Sequence, residues 1–370
     1  MMNATDNRLA GIFKLGRPLS PLYSCLMANR SNLYRKGIFK CHKMNVPVIS
    51  VGNLLLGGTG KTPLVHYIAE LLLHHNRKPA VLSRGYKGTS SSPINVVSNG
   101  MEILMNAAEA GDEPRLLAET LPGVPVLTGK KRFMTGRYAI DRLGIDTIIL
   151  DDGFQHLAVD RDLDLVLFSA HTLLGNGRVL PGGELREPLS SLNRADGFII
   201  TGVSRELERG VEEFISFLKQ RFPRQPVFTG HYQTHEKIFR ADQDNTEFLP
   251  VAEIINKPLF GFCGIAQPMS FKSTILKEKL NLSDFTSYPD HYLYSRPEII
   301  SLVERAKKLG AKGLITTAKD FVKLKEIYVP DFPLYVLSVK LQMGQEFDAF
   351  LINHPAGSPP SNFPYGFSDL

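Results

Sequence analysis

Val46-Pro47-Val48-Ile49-Ser50-Val51 is a short run of β-type residues. It is followed by Gly52-Asn53-Leu54-Leu55-Leu56-Gly57-Gly58-Thr59-Gly60-Lys61-Thr62. Leu64, Val65, Ile68, Leu71 and Leu72 then recur at helical spacing. Strand, glycine-rich turn and helix is the context in which a G-K-T turn reads as a phosphate-binding loop. Backbone N–H groups of Gly57, Gly58, Thr59 and Gly60 close around phosphate oxygens, and the helix N-terminus favours their charge. Lys61 is placed to reach the β- and γ-phosphates, and Thr62 to offer its hydroxyl to Mg²⁺. The general pattern wants glycine at position 55, where this chain has Leu55.

Moving outward, Ile145 to Leu150 is an apolar run ending in Asp151-Asp152-Gly153-Phe154-Gln155-His156. A strand that delivers a carboxylate to its C-terminal end is the usual partner of a phosphate loop and holds Mg²⁺ directly or through water. One of the two aspartates serves the metal and the other orients a loop. Further β-type runs at 80–83, 124–127, 163–168 and 197–200 alternate with helical stretches. That rhythm gives βαβ units on a mostly parallel sheet, with ligands at the carboxyl ends of its strands. Short extended pieces at 226–229 and 237–239 read as a ribbon. A second α/β rhythm follows, with strands at 259–263, 313–316 and 334–339 and a helix at 297–309. The expected class is α/β: a phosphate-loop domain over 44–228 and a smaller C-terminal α/β domain over 229–353, joined by a β-ribbon linker. Residues 354–370, rich in proline, serine and glycine, read as a loose tail.

Charge is unevenly spread. The chain has 370 residues and a formal net charge of +6. Residues 8–43 hold Arg8, Lys14, Arg17, Arg30, Arg35, Lys36, Lys40 and Lys43 and no acid, while the remainder carries 35 bases against 37 acids. The basic character belongs to an arm over 1–43, not to a nucleic-acid groove. Within the arm, Ser20-Pro21 is a helix start and Gly37 a stop, with Leu22, Tyr23, Leu26, Met27, Leu33 and Tyr34 between them at helical spacing. An apolar stripe beside bases suits an anionic lipid surface, where each base contributes about 1 kcal/mol. A first helix packed on its own domain has the same pattern. Three cysteines with no ligand spacing argue for a reducing compartment without a metal cluster. No apolar run approaches the roughly 20 residues of a spanning helix, and Lys14 and Arg17 interrupt any signal-peptide core.

Together these motifs identify the chain as similar to the tetraacyldisaccharide 4′-kinases of lipid A biosynthesis. The resemblance is carried by the loop at 51–63, Ser83-Arg84-Gly85-Tyr86, Gly111-Asp112-Glu113-Pro114, Asp151 to His156, the L-P-x-G-x-L-R-E-P loop at 180–188, Pro289-Asp290-His291 and Thr317-Ala318-Lys319-Asp320. The family shares the departure at Leu55; Tyr292 stands where it often has a second histidine. The resemblance implies ATP and Mg²⁺ as cofactors, with Lys61 and Thr62 on phosphate and metal, Asp151 and Asp152 at the metal and Glu187 close to it. It implies Asp112 as catalytic base with His291 assisting, and Arg84, Gln155, His156 and Arg186 as substrate or supporting residues. The acceptor would be the 4′-hydroxyl of a tetraacyldisaccharide 1-phosphate. The enzyme would sit peripherally on the cytoplasmic face of the bacterial inner membrane, with no nucleic acid and no obligate protein partner. By their local sequence alone, Asp112 is an acid at a helix start and His291 a histidine in a surface turn. Lys319 and Asp320 are left without an assigned role. A membrane-associated ATPase switch that transfers phosphate only to water is the alternative, and a kinase with a soluble acceptor a third reading.

Overall fold

The computed structural model describes residues 11–57, 59–241, 246–325, 327–328 and 332–357. Gly58, residues 1–10 of the arm and residues 358–370 of the expected tail lie outside them. The arm contains α1 (Ser20–Arg35), preceded by a 3₁₀ turn over Arg17–Leu19. The chain then enters β1 (Val48–Asn53), α2 (Lys61–His74), β2 (Pro79–Ser83), β3 (Asn95–Asn99), α3 (Asp112–Thr120) and β4 (Pro125–Thr128). It continues through α4 (Arg132–Leu143), β5 (Thr147–Asp151), β6 (Leu163–Ser169), β7 (Gly197–Thr201), α5 (Glu208–Arg221) and β8 (Val227–Thr234). A second group begins with β9 (Lys237–Ala241), β10 (Thr246–Pro250), β11 (Leu259–Cys263), α6 (Pro268–Lys277) and β12 (Leu282–Ser287). It runs on through α7 (Arg296–Lys308), β13 (Leu314–Thr317), α8 (Ala318–Leu324) and β14 (Leu334–Leu337). The last elements are β15 (Val339–Met343) and α9 (Gln345–Asn353).

Among the described residues two sheets form. The first has the order β15-β8-β7-β6-β1-β5-β2-β4-β3, the second β10-β9-β14-β13-β11-β12. The centre of each is parallel; both edges of the first sheet and the β10-β9 edge of the second are antiparallel, while β12 at the other edge of the second is parallel. β1 is buried at every position because helices cover both faces, so its V-I-S-V core is nearly continuous rather than alternating. Its neighbours are β5 on one side and β6 on the other. Strand order reverses there, and the crevice beyond the carboxyl ends is where such sheets hold ligands.

Several features differ from the sequence reading. The stretch 334–339 is not one strand: β14 belongs to the second sheet, while β15 pairs with β8 and closes the edge of the first. Leu341, Phe347 and Leu351 accordingly pack in the same core as Ile49 and Leu64. Residues 339–353, expected in the second unit, thus return to the first, and β8 lies across the expected boundary at 228. Ser20 does not cap α1; its hydroxyl donates to the Val179 carbonyl at 3.0 Å.

Leu55 has a physical reason. It is 4% exposed, packs with Leu54, Phe154 and Leu185, and forms an isolated β-bridge to Leu185. The Leu56 amide donates to Glu184 O and the Arg186 amide to Leu54 O. A buried leucine in extended backbone splices the phosphate loop to the 180–188 loop, where a glycine would leave a hole.

Candidate active site

The carboxyl ends of β2 and β5 and the loop that follows β1 line one cleft of about 1870 Å³, walled on its far side by the second unit. The phosphate loop enters it from β1. Gly60 has φ +87°, a conformation glycine adopts without strain, and a Cβ there would lie 2.0 Å from the Tyr232 hydroxyl. The Thr201 hydroxyl donates to the Thr59 carbonyl at 3.1 Å and fixes the turn from the end of β7. Lys61 and Thr62 open α2 and line the cleft. The Lys61 ammonium donates to Asn53 Oδ1 at 3.2 Å and pairs with Asp152 at 3.3 Å.

β5 delivers the two aspartates differently. Asp151, its last residue, is 2% exposed; Oδ2 accepts from the Ser83 hydroxyl at 3.3 Å, and Oδ1 is buried with no hydrogen-bond partner. Burial raises its pKa, Glu113 adds to this and Lys61 opposes it. Asp152 turns off the strand at φ +52° and is held by Arg186 Nη1 at 2.9 and 3.0 Å. Burial works against its charge, but Lys61 and Arg186 outweigh it and hold the carboxyl down at about 2. Arg186 also donates to Gln155 Oε1, and Gln155 Nε2 donates to the Asn53 carbonyl at 2.9 Å. His156 is kept neutral, its pKa pushed down to about 3 by burial and the Arg132 charge. Glu187 is 2% exposed, accepts from Arg194 through Oε2 at 2.9 Å, and has a buried Oε1 without a partner.

Mg²⁺ is tested by these atoms. Among the described residues no three His, Cys, Asp or Glu side chains form a cage by themselves. Magnesium needs only one or two carboxylates when phosphates and water complete its octahedron. The orphaned oxygens of Asp151 and Glu187, with the Thr62 hydroxyl, are hard donors that fit that role; Asp152 is already engaged with two cations.

The second unit contributes across the cleft. Asp112 begins α3 after Gly111, whose φ of +92° leaves no room for a Cβ, since one would lie 2.6 Å from the Tyr86 carbonyl. The His291 ring approaches Asp112 with Nδ1 at 2.7 and 2.8 Å from the two carboxylate oxygens. Burial pushes the Asp112 pKa up, but the His291 hydrogen bond and the Lys319 charge outweigh it and hold the carboxyl below its usual range. Arg84 is exposed on the cleft wall.

The described site residues singled out from sequence therefore line one cleft, except Asp112, which is buried directly behind it against His291; Gly58 lies outside the described residues. Two side chains there were missed. Arg132 is 3% exposed and donates to the carbonyls of Asp151 at 2.9 Å and Asp152 at 3.1 Å, fixing the end of β5. Its signal was a basic Lys130-Lys131-Arg132 run directly after a strand end. Glu113 pairs with Lys319 at 3.0 Å across the units.

A family model described as Tetraacyldisaccharide-1-P 4′-kinase matches residues 12–355. The Tetraacyldisaccharide 4′-kinase of Desulfotalea psychrophila is 46% identical over 92% of this chain and 96% of its own length. That of Syntrophus aciditrophicus is 37% identical over 85% of each. Among solved structures, LpxK from Aquifex aeolicus in complex with ATP superposes with a TM-score of 0.70 at 32% identity, covering 89% of this chain and 94% of that one.

Proposed function

The chain belongs to the tetraacyldisaccharide-1-P 4′-kinase family, and from that premise we propose the reaction its cleft performs. It transfers the γ-phosphoryl group of ATP to the 4′-hydroxyl of a tetraacyldisaccharide 1-phosphate. The observation that carries this reading is a buried carboxylate paired at 2.7 Å with a histidine that lines, from the opposite wall, the cleft that holds the phosphate loop. A sugar hydroxyl is a poor nucleophile whose pKa lies far above 7. Asp112 accepts its proton as the oxygen attacks phosphorus, and His291 holds that carboxylate in line. Lys61 and the amides of the phosphate loop bear the charge that develops on the transferred group. Asp151, Glu187 and Thr62 are the residues that would hold Mg²⁺, which supplies charge neutralisation on the phosphates. Asp152, pinned by Lys61 and Arg186, orients the loop instead. Because Asp112 and His291 belong to different units, the site is complete only when the cleft is closed.

The test is incubation with Mg²⁺ and γ-labelled ATP, with and without tetraacyldisaccharide 1-phosphate in detergent. Label is expected in the lipid and not in free phosphate. Release of phosphate at the same rate without lipid would remove the kinase reading and favour a nucleotide switch.

The arm supports a membrane-surface location, on the cytoplasmic face of the inner membrane where that lipid resides. Helix α1 docks on the site through polar contacts: Tyr23 donates to the Arg186 carbonyl and Arg30 to the Gln155 carbonyl. Ile12, Leu15, Leu19, Leu22 and Leu26 are all more than half exposed, an outward apolar stripe beside Arg17, Lys14 and Arg35. No described helix is long and apolar enough to cross a membrane. Replacing Leu22 and Leu26 together by serine is expected to weaken sedimentation with anionic-lipid vesicles at least about tenfold. The basis is about 25 cal/mol per Å² of apolar surface kept out of the bilayer. Unchanged sedimentation would return the arm to a domain-packing role.

A further inference from the structure

Lys319 is the second residue of α8, whose start is organised around a fully buried carboxylate. Asp320 accepts from the Thr317 hydroxyl at 2.8 Å, the Gly264 amide at 3.0 Å and the Tyr294 hydroxyl at 3.1 Å, and pairs with Lys323 at 2.9 Å. The Gly264 carbonyl accepts in turn from the His291 amide at 3.1 Å. One carboxylate therefore sets the loop that carries His291 and the helix that carries Lys319 in a single frame. The edge of the Tyr86 ring closes on the imidazole from the first unit, 5.9 Å between centroids.

An ammonium has three protons and no acceptor. Three acceptors surround that of Lys319: Glu113 Oε1 at 3.0 Å, Asp290 Oδ1 at 3.3 Å and His291 Nε2 at 3.3 Å. A ring nitrogen that accepts from an ammonium carries no proton of its own. The ring proton is then on Nδ1, the atom that faces Asp112, so imidazole donates and carboxylate accepts. Asp290 Oδ2 also approaches Nε2, at 3.6 Å, and would favour a proton there. Its other oxygen is taken by Lys319, which stands closer to the ring.

Resting on the kinase reading above, we propose that Lys319 is a positioning residue. It sets the His291 proton on Nδ1, toward Asp112, and ties that setting to closure of the cleft by docking on Glu113 of the opposite unit. The charges around it are consistent. Asp112 and Glu113 on α3 and Asp290 on the loop are negative, and Lys323 on α8 is already paired with Asp320. Burial works against the Lys319 charge, and Glu113, Asp112 and Asp290 outweigh it, holding the ammonium above the usual lysine range. A second contact joins the same two walls, between Lys325 and Glu119. It lies at the far end of α3 from Asp112 and supplies docking without touching the imidazole.

The test uses the full chain as wild type, Lys319→Met, Lys319→Arg and Lys325→Met. Ring ¹⁵N shifts of labelled histidine are read in each, the His291 signal being assigned by its loss in His291→Gln. The wild type and Lys319→Arg are expected to show a proton on Nδ1 and a bare Nε2. Lys319→Met should lose that pattern, lower kcat/KM at neutral pH at least about tenfold, and move the acid limb of the kcat/KM profile to higher pH. The direction follows from the removal of a cation beside Asp112 with Glu113 and Asp290 left unopposed. Lys325→Met should keep both the ring pattern and the limb. A wild-type ring protonated on Nε2 would overturn the proposal, as would a Lys319→Met variant slower by one factor at every pH. Failure of the kinase reading is separately visible as no label in lipid with the wild-type protein, and it leaves the ring shifts as an independent answer.

Discussion

Asp112→Asn is expected to lower kcat by about 10²–10⁴, the range that a positioned general base contributes, with ATP affinity within a few fold of wild type. Asparagine keeps the size of the side chain and an oxygen that accepts from the His291 ring, so the contact across the cleft persists. It cannot take a proton from the sugar hydroxyl. Asp112 is only 6% exposed, so water has little room to stand in for the missing base. Its carboxyl is held below the usual range by the His291 hydrogen bond and Lys319, so the wild-type base is ionised throughout the neutral region. The acid limb that it governs falls only as pH drops through that lowered value. Single-turnover transfer of labelled phosphate from saturating ATP measures the effect. Turnover within tenfold of wild type would remove Asp112 from the proton path and leave it as an anchor for His291.

What was legible beforehand divides along physical lines. The phosphate loop, β5 with its two aspartates and most of the parallel strands are local patterns, written in consecutive residues: β1, β2, β4 to β7, β11 and β13 lie within a residue or two of their expected ends, whereas β8 runs five residues past the expected 229 and β3, β10, β12 and β15 had no counterpart in the sequence reading. Leu55 read as a departure until Leu185 stood beside it, because the pairing that buries it joins segments 130 positions apart. The split at Ser338 was invisible for the same reason: an extended run does not say which sheet it will join. Asp112 and His291 are 179 positions apart, and neither has a local signature beyond a helix start and a turn; a family likeness, not periodicity, put them together. Arg132 carried a weak signal, a base just after a strand end. Lys319 stood in a family motif that gave it no role, since its three acceptors come from α3 and from the loop before α7.

Lys61→Met is expected to cost at least about 10²–10³ in kcat, the loss seen when one preorganised donor to a developing anion is removed. Unlike Asp112→Asn, it should weaken nucleotide binding too. In the ligand-free arrangement the ammonium is 12% exposed and shared between Asn53 at 3.2 Å and Asp152 at 3.3 Å. A phosphate entering the loop competes with those two acceptors for the same three protons, so the lysine is poised at the mouth of the anion site. Its loss leaves Asp152 bound by both contacts from Arg186, so the end of β5 and the fold are expected to survive; an unchanged melting temperature would check this. Arginine is not expected to restore activity. The guanidinium is broader than an ammonium and must fit its planar fork beside Gly60, where Tyr232 already occupies the space a Cβ would need. Titration of a fluorescent ATP analogue together with lipid turnover separates the two variants. Asp112→Asn binds and does not transfer, whereas Lys61→Met does neither. A Lys61→Met protein that transferred phosphate at a tenth of the wild-type rate would mean that the loop amides alone carry the charge.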